Sequence, residues 1–181
     1  MDTKIILSEF YTPGSKTYNI LVMHSKQVAE KALDIAKNVK HLKPDTNFIR
    51  QAAMLHDIGI FMTKSPSLGC VGTHPYVAHG YLGRALLEEK NLPHHALVCE
   101  RHVGAGITED DIKTYNLPLP VRDMLPLSLE EKIICVADKF FSKNAKSNHG
   151  ERSLDRVVQI IQNYGENNVK RFMEWLDLFG F

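Results

Sequence analysis

The stretch MLHDIGIF, residues 54 to 61, sets a histidine and an aspartate side by side at the end of an apolar helical run. Upstream, Phe48, Ile49, Ala52, Ala53 and Leu55 recur at helical spacing and read as one face turned to a core. His56 falls on that face, four residues after Ala52, and Asp57 follows at once; Gly59 ends the segment. A carboxylate taken out of water is costly unless it is paired or binds a cation. The stretch therefore predicts a helical fold in which something meets Asp57.

Outward from it, the patterns stay helical. Asp2 can cap a short helix to about Phe10, and Ser15, after the turn YTPGS, can cap a helix running to about residue 40. That helix carries the stripe Leu21, Val28, Ala32, Ile35, and His24 falls within it. Pro44 and Asp45 open the helix that ends at His56 and Asp57, and residues 62 to 74, with Pro66, Gly69 and Gly72, read as a loop. A helix from Pro75 to about Lys90 carries His79, and NLPHHALVCERHVG gives another that Gly104 closes. A short helix near 109 to 115 precedes three prolines. SLEE at 128 to 131 is a capping box that argues for helix through KIICVA, despite that segment's strand-like composition. Two more helices are predicted near 151 to 163 and 166 to 179. With no internal repeat and no convincing strand pair, the expectation is an all-α fold, one compact multi-helix bundle over residues 1 to 181.

Composition narrows the function. A hydrophobic share of 44% and a charged share of 24% suit an ordinary globular core, and the net charge of +1 gives no field for long nucleic acid or a membrane surface. The N-terminus lacks a long apolar stretch, so neither a signal peptide nor a membrane span is expected. Cys70, Cys99 and Cys135 form no CxxC pair and read as reduced core thiols in a cytoplasmic protein.

The chemistry lies in polar residues that interrupt apolar faces. His24 does so in the second helix, His56 and Asp57 in the third, and Asp138 between Ile134 and Phe141 in a late helix. His79 and His102 are the remaining candidates on the helices between, while His74 is a spare candidate in THPYVAHG. His94 and His95 read as solvent-facing at a helix start, and His41 and His149 as surface residues. Imidazole and carboxylate together suit Fe, Mn, Zn, Co or Ni, and two such ions could share Asp57 as a bridge.

This order, H…HD…H…H…D, resembles the signature of the HD-domain superfamily of metal-dependent phosphohydrolases. The matching stretches are LVMHSKQVAEKALDIA, AAMLHDIGI, HGYLGRALL, ERHVGAGIT and LEEKIICVADKF, spanning residues 21 to 140. The two middle stretches look like the subgroup with dinuclear sites, such as the HD-type diadenosine tetraphosphate hydrolases. The resemblance implies that His24, His56, Asp57 and Asp138 hold a first divalent metal and that Asp57 bridges to a second held by His79 and His102. Residues 150 to 181 would be a C-terminal helical extension.

The resemblance also implies an activity: hydrolysis of a nucleotide or other small phosphate ester by metal-activated water, with Asp57 and Asp138 orienting the nucleophile. Cations for phosphate would come from Arg101, Lys64, Lys139 and Lys143. Two departures bear on this. Many relatives read HDIGK where this chain has Ile60, and VGAGI after His102 lacks the GYP of cyclic-dinucleotide phosphodiesterases. The same ligand order also resembles the mixed-valent diiron oxygenases, and a fold kept only for binding is a third reading.

Overall fold

The computed structural model describes residues 1 to 143 and 150 to 181, so His149 lies outside the described residues. The fold is all-α, built from α1 (Thr3–Phe10), α2 (Lys16–Asn38), α3 (Thr46–Leu55), α4 (His79–Glu89), α5 (Pro93–Arg101), α6 (Glu109–Thr114), α7 (Leu129–Lys139), α8 (Leu154–Gln162) and α9 (Glu166–Phe179). No helix among the described residues is long and apolar enough to cross a membrane.

The caps are those the sequence marks. Asp2, Ser15 and Asp45 accept backbone N–H groups at the starts of α1, α2 and α3, satisfying donors that a helix start leaves free. At α7, Ser128 accepts the Glu131 N–H, but the reciprocal half of the expected box is absent. The Glu131 carboxylate instead accepts the Leu127 N–H at 2.8 Å and pairs with Arg101. Helix α2 stops at Asn38, two residues early, where the chain tightens into a 3-10 turn over Lys40–Leu42.

One expectation is corrected. The loop after the HD segment contains a strand pair, β1 (Lys64–Ser65) with β2 (Cys70–Val71), antiparallel. Two-residue strands are too short to leave an alternating pattern, so periodicity could not reveal them.

Buried Val28, Ala32 and Ile35 of α2, Ile49 and Ala52 of α3, and Ile133 and Val136 of α7 form one cluster with Phe172, Trp175, Leu176 and Phe179 of α9. The C-terminal helices are thus packed on the helices that carry His24 and Asp138. A second cluster joins Leu7 and Tyr11 to Leu21, Leu55, Ile58 and Cys99. All three cysteines are free and buried.

Candidate metal centre

The site is assembled from five helices, the middle of one and the ends of the others. His24 is presented mid-helix by α2, and His56 caps the C-terminus of α3. Asp57 follows with φ −108° and ψ 12°, breaking the helix and turning its carboxylate back toward the bundle. Tyr11 pins this turn: its hydroxyl donates to the Ile58 carbonyl at 2.6 Å and accepts the Phe61 N–H at 3.3 Å. Gly59 is required by close approach, since a Cβ there would lie 2.3 Å from the His79 carbonyl oxygen and 2.5 Å from the Gly83 nitrogen. The HDIG turn and α4 touch backbone to backbone, and that contact sets His79 beside Asp57.

Six side chains, all at most 7% exposed, meet in the interior. His24 Nε2 lies 2.9 Å from Asp138 Oδ1 and 3.3 Å from Asp57 Oδ2; His56 Nε2 lies 3.1 Å from Asp57 Oδ2 and 3.4 Å from Asp138 Oδ1. On the other side of the same carboxylate, Asp57 Oδ1 is 3.2 Å from His79 Nε2 and 3.5 Å from His102 Nε2, and those two nitrogens are 3.0 Å apart. Ligand bonds of about 2.0–2.2 Å put neighbouring ligand atoms about 3.0–3.4 Å apart around one ion. The residues therefore form two cation-sized groups that share Asp57.

The donor set fits metal ions on a second count. His56, His79 and His102 each hold Nδ1 2.6–2.7 Å from the carbonyl three residues back, of Ala53, Tyr76 and Cys99. A carbonyl accepts only a protonated nitrogen, so in the neutral rings Nε2 carries the lone pair. With all three rings neutral, as ligation requires, three lone pairs would be aimed at one buried carboxylate. Neither Asp57 oxygen nor His56 Nε2 has an aligned hydrogen bond, although ion-pair distances are short. The cluster is compatible with divalent-metal binding.

Protein charges fill part of that demand. Lys143 Nζ lies 2.7 Å from Asp57 Oδ2, and Lys139 Nζ 2.6 Å from Asp138 Oδ2. Burial pushes the Asp57 carboxyl up, yet His56 and Lys143 hold it well below the usual range; Lys139 and Lys143 do the same for Asp138. Burial disfavours a charged His56, but Asp57 and Asp138 outweigh it and raise the ring to about 9. Burial prevails at His102, which falls to about 3 despite Asp57.

A cleft of about 510 Å³ opens onto His79, His102 and Asp138. Of the four cations expected to serve phosphate, Lys139 and Lys143 line it. Lys139 also donates to the His102 carbonyl at 3.0 Å, so it ties the two metal-side groups together. Arg101 is brought elsewhere, with one guanidinium nitrogen 3.1 and 3.0 Å from the two Glu131 oxygens, and Lys64 is exposed on β1 outside the cleft wall. His74 is exposed and ties its loop to the HDIG exit through backbone bonds to Met62 and Lys64. His94 and His41 are exposed, whereas His95 is half-buried with its ring against Phe48 at 4.8 Å, not turned fully to solvent as expected.

Sequence reasoning missed Arg152, Tyr76 and Tyr164 in the cleft wall. Arg152 donates to the Lys139 and Phe141 carbonyls at 2.8 and 2.7 Å and so closes the end of α7. Tyr76 stacks on His79 with centroids 4.6 Å apart, and its spacing of three residues from that histidine was a readable signal. Arg152 and Tyr164 come from distant segments and leave no local signal.

With this geometry in place, comparison with known proteins gives the family. The HD domain family matches residues 21–142, and the chain belongs to it. It is 36% identical over 156 residues to an uncharacterized protein of Methanocaldococcus jannaschii, covering 76% of this chain and 83% of that one. It is 27% identical over 170 residues to a tRNA (cytidine(56)-2'-O)-methyltransferase of Thermoplasma volcanium, covering 93% of this chain but 43% of that protein. Its fold is similar to the HD domain of the L. monocytogenes phosphodiesterase PgpH, solved in complex with cyclic-di-AMP, with a TM-score of 0.54, 17% identity, and coverage of 95% and 93% of the two chains.

Proposed function

We propose that this chain is a metal-dependent phosphohydrolase acting on a small phosphorylated substrate, such as a nucleotide. One observation carries the reading: Asp57 turns one oxygen to His24 and His56, in a group completed by Asp138, and the other to His79 and His102, beside an open cleft with cationic walls. When bound, divalent metals supply a Lewis acid for a phosphoryl oxygen and lower the pKa of water toward neutrality. In this reading Asp57 would be the shared ligand, and Asp138, which lines the cleft, would orient the attacking water and take its proton. Lys143 and Arg152 offset phosphate charge, and the burial of the six ligands keeps bulk water from competing.

The PgpH likeness supports a phosphoester, since PgpH is a phosphodiesterase and its HD domain holds a cyclic dinucleotide. A net charge of +1 favours a small substrate over long nucleic acid. The methyltransferase relatives are more than twice the length this chain spans in them, so their methyl transfer is not assigned to it. Residues 1–181 are read as one HD domain, because α8 and α9 share the core of α2, α3 and α7.

The test is metal content per chain on protein purified without oxygen and without a metal-binding tag, followed by phosphate release from a panel of phosphate esters. Two divalent ions per chain and turnover of at least one small ester are expected. Metal-loaded protein that releases no phosphate, and instead consumes O2 with iron bound, would overturn the reading in favour of an oxygenase.

A further inference from the structure

We propose that Tyr164 is a specificity-determining residue, and that the apolar recess it walls off holds a planar ring of the substrate. This rests on the cleft being the site of a phosphorylated small molecule.

The recess measures about 230 Å³ and lies next to the cleft: Val77, Val103 and Tyr164 line both. Small-molecule sites run about 300–1,000 Å³, so the cleft can take a whole ligand and the recess only part of one. Tyr164 forms the partition. Its ring rests on Gly104, two residues after His102, where an added Cβ would come within 3.3 Å of the Tyr164 Cδ1. Gly104 also has φ +62°, so a larger residue there is disfavoured twice.

The partition is held in place. Buried Asn168 donates to the Tyr164 carbonyl at 2.9 Å and accepts the Ala105 N–H at 3.3 Å. Arg171 Nε donates to the Ala105 carbonyl at 2.7 Å. The turn between α8 and α9 is therefore bolted to the loop that follows His102. None of Tyr164, Asn168 or Arg171 falls within the matched family segment, residues 21–142. The metal-ligand cluster comes from the family segment, and Tyr164, the selecting residue, comes from outside it.

The lining defines what would fit. Ile107 and Leu117 give apolar walls, Tyr164 and Tyr115 give exposed aromatic faces, and Asn163 gives an exposed amide. Aromatic faces with nearby amide groups suit a flat heterocycle that stacks and hydrogen-bonds along its edge, with the phosphate left among Lys143 and Arg152.

The experiment titrates the full manganese-loaded chain with AMP, GMP, CMP and UMP, and with ribose 5-phosphate as the ring-free control. Phosphate release is followed in the same samples. At least one nucleotide is expected to bind about tenfold more tightly than ribose 5-phosphate, the scale of one stacked base. Tyr164→Ala, which removes the face, and Asn163→Trp, which fills the recess, should each abolish that preference, and Asn163→Trp, outside the cleft lining, should leave ribose 5-phosphate binding in place. Tyr164→Phe should retain it. The proposal is overturned if no nucleotide is preferred, or if the preference survives both substitutions. Failure of the phosphohydrolase reading looks different: the preference persists and no phosphate is released.

Discussion

His79 Nε2 and His102 Nε2 face each other at 3.0 Å while both Nδ1 atoms are committed to backbone carbonyls. Two neutral rings so placed oppose lone pair to lone pair unless a proton or a metal ion lies between them. A proton serves two nitrogens; a metal also serves Asp57 Oδ1, 3.2 and 3.5 Å away. His79→Ala and His102→Ala should therefore each lose about one of two metals per chain, a closed ligand set giving way to an open one. Elemental mass spectrometry on the variants reads this directly. Full metal content in both would make the pair structural.

Asp57 is the residue common to both groups, so its loss should act on both. Asp57→Asn is expected to bind no metal tightly and to lower any turnover at least about a hundredfold, the order seen when ligand-orienting groups are removed. Its thermal scan offers a second readout. Metal at about 100 times Kd stabilises a folded state by about 2.7 kcal/mol, or about 5–10 °C for a chain of this size. The wild type should show that rise on adding metal and Asp57→Asn should show none.

The raised His56 gives a pH signature. In the metal-free protein its charge contributes stability that is fully present below the unfolded value of 6.5 and is lost as pH rises through about 9. Metal at the first group must displace that proton, whereas His102, held at about 3, has none to give. Calorimetry at pH 7 in two buffers of different ionisation enthalpy should report release of about one proton per first metal bound, and affinity should rise with pH toward 9. No proton release would mean that His56 is already neutral.

How far the sequence could be read depends on the range of each signal. Caps, helix spacing and the placing of His24, His56, Asp57 and Asp138 on buried faces are local features, and each was legible at its own position. The direction of Arg101 was not legible, because adjacency to His102 says nothing of it: at the end of α5 its side chain turns to Glu131 of α7, a pairing made across 30 residues. The two-residue strands β1 and β2 fall below the length at which alternation means anything. Arg152 and Tyr164 reach the cleft only because α8 and α9 fold back onto α2 and α7, and no window around them holds that information.

Gly59 tests the backbone contact beneath the second group. Gly59→Ala forces a methyl into the His79 carbonyl and the Gly83 nitrogen, neither of which can rotate away. Overpacking of this kind costs about 1–3 kcal/mol. The shift should fall on His79, so the variant is expected to melt lower and to lose the second metal before the first. A variant with wild-type stability and two metals would show that α4 can slide without moving His79.

Lys143 separates metal competition from substrate binding. Its ammonium sits 2.7 Å from the Asp57 oxygen that faces His24 and His56, the position a metal ion would contest. Lys143→Gln removes that competitor, so metal affinity should rise, by about three- to tenfold for one partly compensated ion pair. The same change takes a cation from the cleft wall, so KM for a phosphate ester should rise by a similar factor with less effect on kcat. Lys64→Gln, outside the cleft, should alter neither quantity. Opposite movements of metal affinity and substrate affinity in one variant are difficult to produce by general unfolding, which would weaken both. If Lys143→Gln weakens metal binding instead, the lysine supports the ligand cluster rather than competing for it, and its place as a phosphate-binding group falls.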